Sequence, residues 1–302
     1  MGNEIPAFPT ILDNTQVSAW RTCPTKFWWA HGRGLAPTEE STHLVAGGAF
    51  AKGIEVTRQA YWNKGVPFYD ALALGGAALL GAYGTHEASH SASSKSPLNM
   101  LGALGYYFTQ WPIDGEGLRP AKLGDSHAIE YSFAVPVPGT KHPLTGDPII
   151  YCGRFDAIMQ WGSLLMGEDD KTTARLGQEW LNRWRFNSQI LGYTWGAREH
   201  GTRLAGFVVR GVSLLKNGYD SAESGPHMIA EWKLDRFHEN LVGDIARMIE
   251  DWERQTWSYS MNQACNSYGG CSFLPLCDAQ HPEEWLKVNF YERNWNPLAS
   301  RD

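Results

Sequence analysis

Residues 149–173 read IIYCGRFDAIMQWGSLLMGEDDKTT, two apolar runs separated by Trp161-Gly162-Ser163. The break predicts a hairpin of strands Ile149–Trp161 and Ser163–Asp169. The second strand is expected to end in Asp169-Asp170-Lys171, and Asp156 lies inside the first, where an unpaired carboxylate would be costly. Charges after a short apolar run commonly mark a solvated turn. The alternative is a sheet end at which those charges do chemistry.

Composition sets the frame. The chain has 302 residues, 43% hydrophobic and 19% charged, with 14 Trp, which describes a folded globular protein with a sizeable core. Its 26 Lys and Arg against 32 Asp and Glu leave a net charge of −6. That argues against a general nucleic-acid coat and leaves a local basic groove open. The start, MGNEIPAFPT, lacks the basic and apolar blocks of a signal peptide. The most apolar segment, Ala71–Gly84, is too short and glycine-rich to span a bilayer and reads as a buried helix. A cytosolic protein is expected, with its five cysteines reduced or metal-bound.

Outward from the hairpin, 15–31 reads as helix, break at Pro24, helix. In 47–62, Phe50, Ile54, Thr57 and Tyr61 recur at helical spacing. Residues 85–99 are Ser-rich and read as a loop or lid. Ala128–Val137 alternates as a strand, Gln178–Glu199 reads as one long amphipathic helix, Leu204–Leu215 and Met228–Phe237 as strands, and 238–260 as a charged helix. The pattern predicts an α/β protein without repeats or a clear linker. The expected plan is one domain over 1–302, with a mainly helical region at 1–125, a core sheet and helix at 126–235, and a helix with a Cys-rich tail at 236–302.

Pairing the hairpin strands would bring Asp156, Asp169 and Lys171 to one sheet end. Two carboxylates suit Mg²⁺ or Mn²⁺, the Asp170 carbonyl could add a ligand, and a lysine there could orient a water or stabilise a phosphate in transit. Gln189 and Tyr193, four apart, share a helix face; singly they read as ordinary surface and core residues.

In order, Gly-x-x-Asp156, Asp169-x-Lys171 and Gln189-x-x-x-Tyr193 resemble the PD-(D/E)xK nuclease superfamily, in its RecB-like branch with the QxxxY motif. The resemblance implies a restriction-endonuclease-like mixed central sheet flanked by helices. It also implies metal-dependent hydrolysis of DNA by an exonuclease or end-processing nuclease in recombination, repair or CRISPR-type adaptation. By the same resemblance Asp156 and Asp169 bind the metal, Lys171 serves hydrolysis, and Gln189 and Tyr193 contact DNA or the lysine, with the Asp170 carbonyl as the further ligand read from the strand itself. One position departs from the pattern. The branch carries a preceding helix of the form G-x-x-[FV]-H-x-x-[LI]-E, and here Ala51 stands where the metal-ligating His is expected, with Glu55 one turn on.

Cys265, Cys271 and Cys277 recur every six residues in CNSYGGCSFLPLC, better explained by a metal site than by packing. Cys23 is the candidate fourth ligand, and Cys152 reads as a core thiol. Four thiolates suit zinc or a [4Fe-4S] cluster alike. One cysteine before the core and three after it resemble the iron-sulfur members of the superfamily, of the AddB, CRISPR-associated and phage-encoded kinds, which implies a cluster tying the N-terminal helical region to the tail. For a phage-encoded member the host cytoplasm is the expected compartment.

A nucleic-acid partner would be gripped by cations and aromatic platforms. Arg175, Arg183, Arg185 and Trp184 follow the candidate lysine, Arg21, Lys26, Trp28 and Trp29 flank Cys23, and Arg175 and Arg185 are the expected phosphate contacts. Two competing readings remain. One is a nuclease fold that holds DNA or a protein without cutting, favoured by Ala51; the other is a zinc-stabilised interaction domain.

Overall fold

The computed structural model describes residues 6–39, 41–84, 94–115, 117–215, 217–266, 270–293 and 295–298. In chain order the elements are β1 (Ile11–Asp13), α1 (Asn14–Thr22), α2 (Pro24–Phe27), β2 (Leu35–Pro37), α3 (Thr42–Arg58), α4 (Phe68–Tyr83) and α5 (Pro97–Gln110). There follow β3 (Arg119–Pro120), β4 (Lys122–Leu123), β5 (Ser126–His127), β6 (Ile129–Pro136), β7 (Ile150–Trp161), β8 (Leu164–Thr173), α6 (Gln178–Asn182) and α7 (Ser188–Glu199). The chain closes with β9 (Gly206–Leu215), β10 (Gly218–Met228), α8 (Glu231–Arg254), α9 (Leu274–Asp278), α10 (Pro282–Asn289) and β11 (Phe290–Glu292). It is an α/β protein. Among the described residues no helix is long and apolar enough to cross a membrane.

Two compact units divide the described residues: those within 6–39, 134–153 and 235–298 form one, and those within 41–133 and 154–234 the other. The larger unit holds a mixed sheet flanked by helices. There β7 and β8 pair antiparallel, β8 and β9 parallel, and β9 and β10 antiparallel. The hairpin closes through Gly162-Ser163, with Trp161 opposite Leu164 and Gly162 at φ +58°, the left-handed conformation a two-residue hairpin loop asks of its first residue. Helices α3, α4 and α5 enclose a core of Phe50, Ile54, Leu79, Met100, Leu104 and Phe108. Helices α3 and α4 approach closely because Gly75 has no side chain: a Cβ there would collide with Thr57 and the Gly53 carbonyl.

In the smaller unit β1 runs parallel to the start of β7 and β11 pairs antiparallel with β2. Cys23 is extended (φ −165°, ψ 117°) between α1 and α2, which is the break that Pro24 imposes on the preceding residue. Phe27 is followed by a single π-turn, Trp28–Gly32. Around Leu35, Phe273, Leu276 and Phe290 a second core forms.

Several expectations need correction. The segment 178–199 is not one helix: α6 ends at Asn182, a 3₁₀ turn spans Arg183–Phe186, and the extended Asn187 starts α7. The Asn187 side chain accepts from the Gln189 and Ile190 amides at 2.9 and 3.4 Å, so this capping residue terminates one element and nucleates the next. Met228–Phe237 is not a strand. The edge strand is β10, just before it, and α8 starts at Glu231, because Leu234, Phe237, Leu241, Ile245 and Met248, all buried, follow helical spacing. That helix ends at Arg254 and does not reach 260. The apolar α4 buries only Ala71, Gly75, Leu79 and Tyr83, and leaves Leu74 and Leu80 exposed. Of the expected loop at 85–99, residues 85–93 lie outside the described ones, and Pro97–Asn99 already belong to α5.

Candidate active site

Strand β8 carries four consecutive groups, Glu168, Asp169, Asp170 and Lys171, and the two-residue period of a strand sends them alternately to opposite faces. Its burial makes each of those directions consequential. The strand runs on to Thr173, so Asp169 sits within it rather than at its end.

On one face Lys171 Nζ lies 2.5 Å from Asp169 Oδ2, and Gln189 Nε2 donates to Asp169 Oδ1 at 3.3 Å. Asp169 is only 4% exposed, so its charge rests on these partners. Gln189 reaches it from the first turn of α7. Tyr193, one turn on, packs its ring against Phe155 at 5.3 Å and Phe133 at 5.8 Å. It props α7 on the sheet. Asp156, half-buried on β7, accepts the Asp170 amide N–H through Oδ2 at 2.7 Å. The structure thus brings Asp169, Lys171 and Gln189 together, with Asp156 on the neighbouring strand tied to β8.

The Asp170 carboxylate serves the opposite face. Arg58 Nη1, from α3, lies 2.9 Å from Asp170 Oδ2 and 2.9 Å from Glu168 Oε2, and its Nη2 donates to Tyr107 Oη at 2.6 Å. Tyr107 Oη in turn donates to Asp170 Oδ1 at 2.7 Å. Arg210 on β9 closes the cluster: its Nη1 is 2.8 Å from Glu168 Oε1, its Nε 2.9 Å from Glu223 Oε2, and its guanidinium lies 5.3 Å from the Trp111 ring centre. Burial pushes the Asp170 carboxyl up, Arg58 opposes that, and Glu168 and Asp156 reinforce it. Burial alone would weaken the Arg58 guanidinium; Asp170 and Glu168 hold it charged, well above its ordinary range. Two guanidiniums thus serve three carboxylates, of which Glu223 is the partly exposed one.

Sequence reading did not find Arg58, Tyr107 or Arg210. A signal existed, since Glu168 and Arg210 each interrupt an apolar strand and a buried charge needs a partner.

Ala51 lies half-buried on α3 and supplies no polar atom. Glu55, one turn on, pairs with Lys52 at 3.3 Å. Arg175 lies in the turn after β8, Arg185 is exposed in the 3₁₀ turn, and Trp184 is buried with Arg183 stacked over it, 4.4 Å from guanidinium carbon to ring centre.

In the smaller unit Cys23, Cys265, Cys271 and Cys277 line one cavity of about 190 Å³, together with Lys26 and Asp278. Among the described residues no three His, Cys, Asp or Glu side chains close around a single metal ion. Burial, with the other three cysteines beside it, pushes the Cys277 thiol up to about 11. Cys152 is a buried thiol apart from this group, raised to about 12 by burial and by Asp13.

No family profile and no curated protein matches the chain. Among solved structures, a candidate exonuclease from Eubacterium rectale aligns over 83% of this chain and 85% of its own at a TM-score of 0.48 and 11% identity. SSO0001 aligns over 77% and 84% at a TM-score of 0.34 and 14% identity. At such distances function has to be argued from the side chains.

Proposed function

We propose that the chain is a divalent-metal-dependent deoxyribonuclease with a PD-(D/E)xK-type core. One observation carries the reading: the carboxylate of Asp169 is gripped at one oxygen by Lys171 and at the other by Gln189, on a strand hydrogen-bonded to Asp156.

The donor set fits Mg²⁺ or Mn²⁺. Such ions are held by one or two carboxylates plus waters and substrate phosphate, and Asp156 and Asp169 are the two acids available. The Lys171 ammonium, 2.5 Å from Asp169, supplies positive charge where a bound cation would share it. When bound, the ion supplies Lewis-acid polarisation of the scissile phosphate and a more acidic water. Lys171 is a point charge with three donors, suited to orient the attacking water and stabilise charge on the phosphate. Gln189 fixes the Asp169 rotamer, and the Asp170 carboxylate, committed to Arg58 and Tyr107, is unsuited to ligation.

The test is Mn²⁺-dependent cleavage of labelled single-stranded and duplex DNA by the full chain and by Asp169→Asn. Cleavage by the wild type and none by the variant is expected. Equal rates would remove the site from consideration.

We infer further that Cys23, Cys265, Cys271 and Cys277 hold a [4Fe-4S] cluster. A single zinc ion draws four sulfurs to about 2.3 Å from one centre. Four cysteines spread around a cavity of about 190 Å³ suit a polynuclear cluster better. It would join the Cys23 segment to the tail within the smaller unit. Iron and sulfide analysis of anaerobically purified protein decides between cluster and zinc.

Ala51 favours a second reading, a nuclease fold that binds DNA but cuts poorly for want of a ligand on α3. Binding without Mn²⁺-dependent cleavage would select it.

A further inference from the structure

Beyond β8 the chain turns through Arg175 into α6, and this connection encloses a pocket of about 250 Å³ lined by Arg175, Gln178, Glu179, Trp180 and Arg183 with Leu176 and Gly177. The turn is fixed. Thr173 Oγ1 donates to the Arg175 carbonyl at 3.1 Å and accepts the Arg175 amide N–H at 3.3 Å.

Register puts this pocket beside the candidate active site. Gly211 on β9 is level with Lys171 on β8, and residues paired in a parallel ladder point to the same face. The Trp180 ring and Leu176 lie over Gly211, and a Cβ at 211 would collide with that ring. Trp180 therefore covers the Lys171 face of the sheet one strand over, about 4.8 Å away at the backbone.

The pocket's chemistry is cationic. Among the described residues no carboxylate pairs with Arg175 or Arg183, although Glu179 lines the same pocket. Arg183 is held instead on the Trp184 face, a stacking that leaves the in-plane N–H groups of its guanidinium able to donate. Trp180 is 4% exposed, so its ring forms the buried wall of the pocket. At roughly 30 Å³ per water the volume exceeds what one water fills.

We propose that this pocket takes a phosphate of the strand whose cleavage is assigned to Asp169 and Lys171. The proposal rests on the nuclease reading and adds the path of the substrate: from Lys171 across β9, past the Trp180 ring, to Arg175 and Arg183. Arg185, expected from sequence as a phosphate contact, lies outside the lining of this pocket.

The experiment uses the full chain without added metal and fluorescein-labelled hexathymidylate, with and without a 5′-phosphate, followed by anisotropy across a salt series. Arg175→Gln and Arg183→Gln should each weaken binding about tenfold and lower the salt slope by about one. With Mn²⁺, the DNA concentration that gives half-maximal cleavage should rise in both variants by about the factor that binding loses. Losses confined to the phosphorylated oligonucleotide support a terminal phosphate, and equal losses on both support an internal diester. Variants that bind as the wild type does, while the wild type cuts, overturn the pocket alone. A wild type that neither binds nor cuts overturns the pocket and the nuclease reading together.

Discussion

The backbone amide of Asp170 holds the side chain of Asp156 at 2.7 Å, while the Asp170 side chain is turned to the opposite face of the sheet. One residue thus ties a candidate metal-binding carboxylate to a buried ion cluster without entering the site itself.

That division predicts unequal consequences along β8. Arg58→Met leaves Glu168 and Asp170 buried with Arg210 as the remaining cation, and breaking a buried pair costs about 3–5 kcal/mol. Urea unfolding should register a loss of that order, and an unchanged midpoint would mean that the cluster is not a stabilising unit.

Lys171→Ala should behave in the opposite way. The lysine is partly exposed and Gln189 still holds the nearly buried Asp169, so stability should fall by about 1–3 kcal/mol, less than at Arg58, whereas cleavage should fall by roughly 10²–10³-fold. Single-turnover rates beside a thermal melt separate the two. A loss of Tm as large as that of Arg58→Met with cleavage retained would assign Lys171 a structural role.

Ala51→His places an imidazole on α3 at the position where the nuclease pattern that the sequence resembles has one. The half-saturating Mn²⁺ concentration should drop severalfold, and an unchanged metal requirement would mean that position 51 does not reach the site.

In the smaller unit His31 gives a pH signature. Burial, with Arg293 and Lys26 nearby, pulls the imidazole down to about 4, and its Nδ1 has no partner. The unfolded chain takes up a proton near pH 6.5, whereas the folded chain resists until about 4. The stabilisation is therefore complete above about 6.5 and is lost as pH falls toward 4, by roughly 3 kcal/mol at most. Denaturant midpoints measured between those values should fall in the wild type and hold steadier in His31→Phe.

Much of the larger unit can be read from its sequence because its signals are local. The hairpin follows from alternation and Gly162, and the Asp169-Lys171 pairing from spacing. That Gln189 and Tyr193 share a helix face follows from spacing, but the partner of Gln189 is Asp169 and not the expected lysine. What escaped notice is non-local or weakly patterned. Arg58 meets Glu168 and Asp170 from more than a hundred residues away, and nothing around it distinguishes it from a solvated last-turn cation. Strand β10, reading GYDSAESGPHM, has little strand propensity and is held by its pairing with β9. The split of 178–199 rests on one asparagine acting as a cap, a role that a run of helix-forming neighbours conceals.

The alternation along β8 also governs how the protein must fold. If the strand slid by one residue, Asp169 and Lys171 would be driven under α3 and Glu168 and Asp170 would face α7, leaving like and unpaired charges on both sides at once. Most strands are kept in frame by the greasy side of a single face. This one is indexed by charge on two, so a misaligned intermediate has no dry side on which to settle.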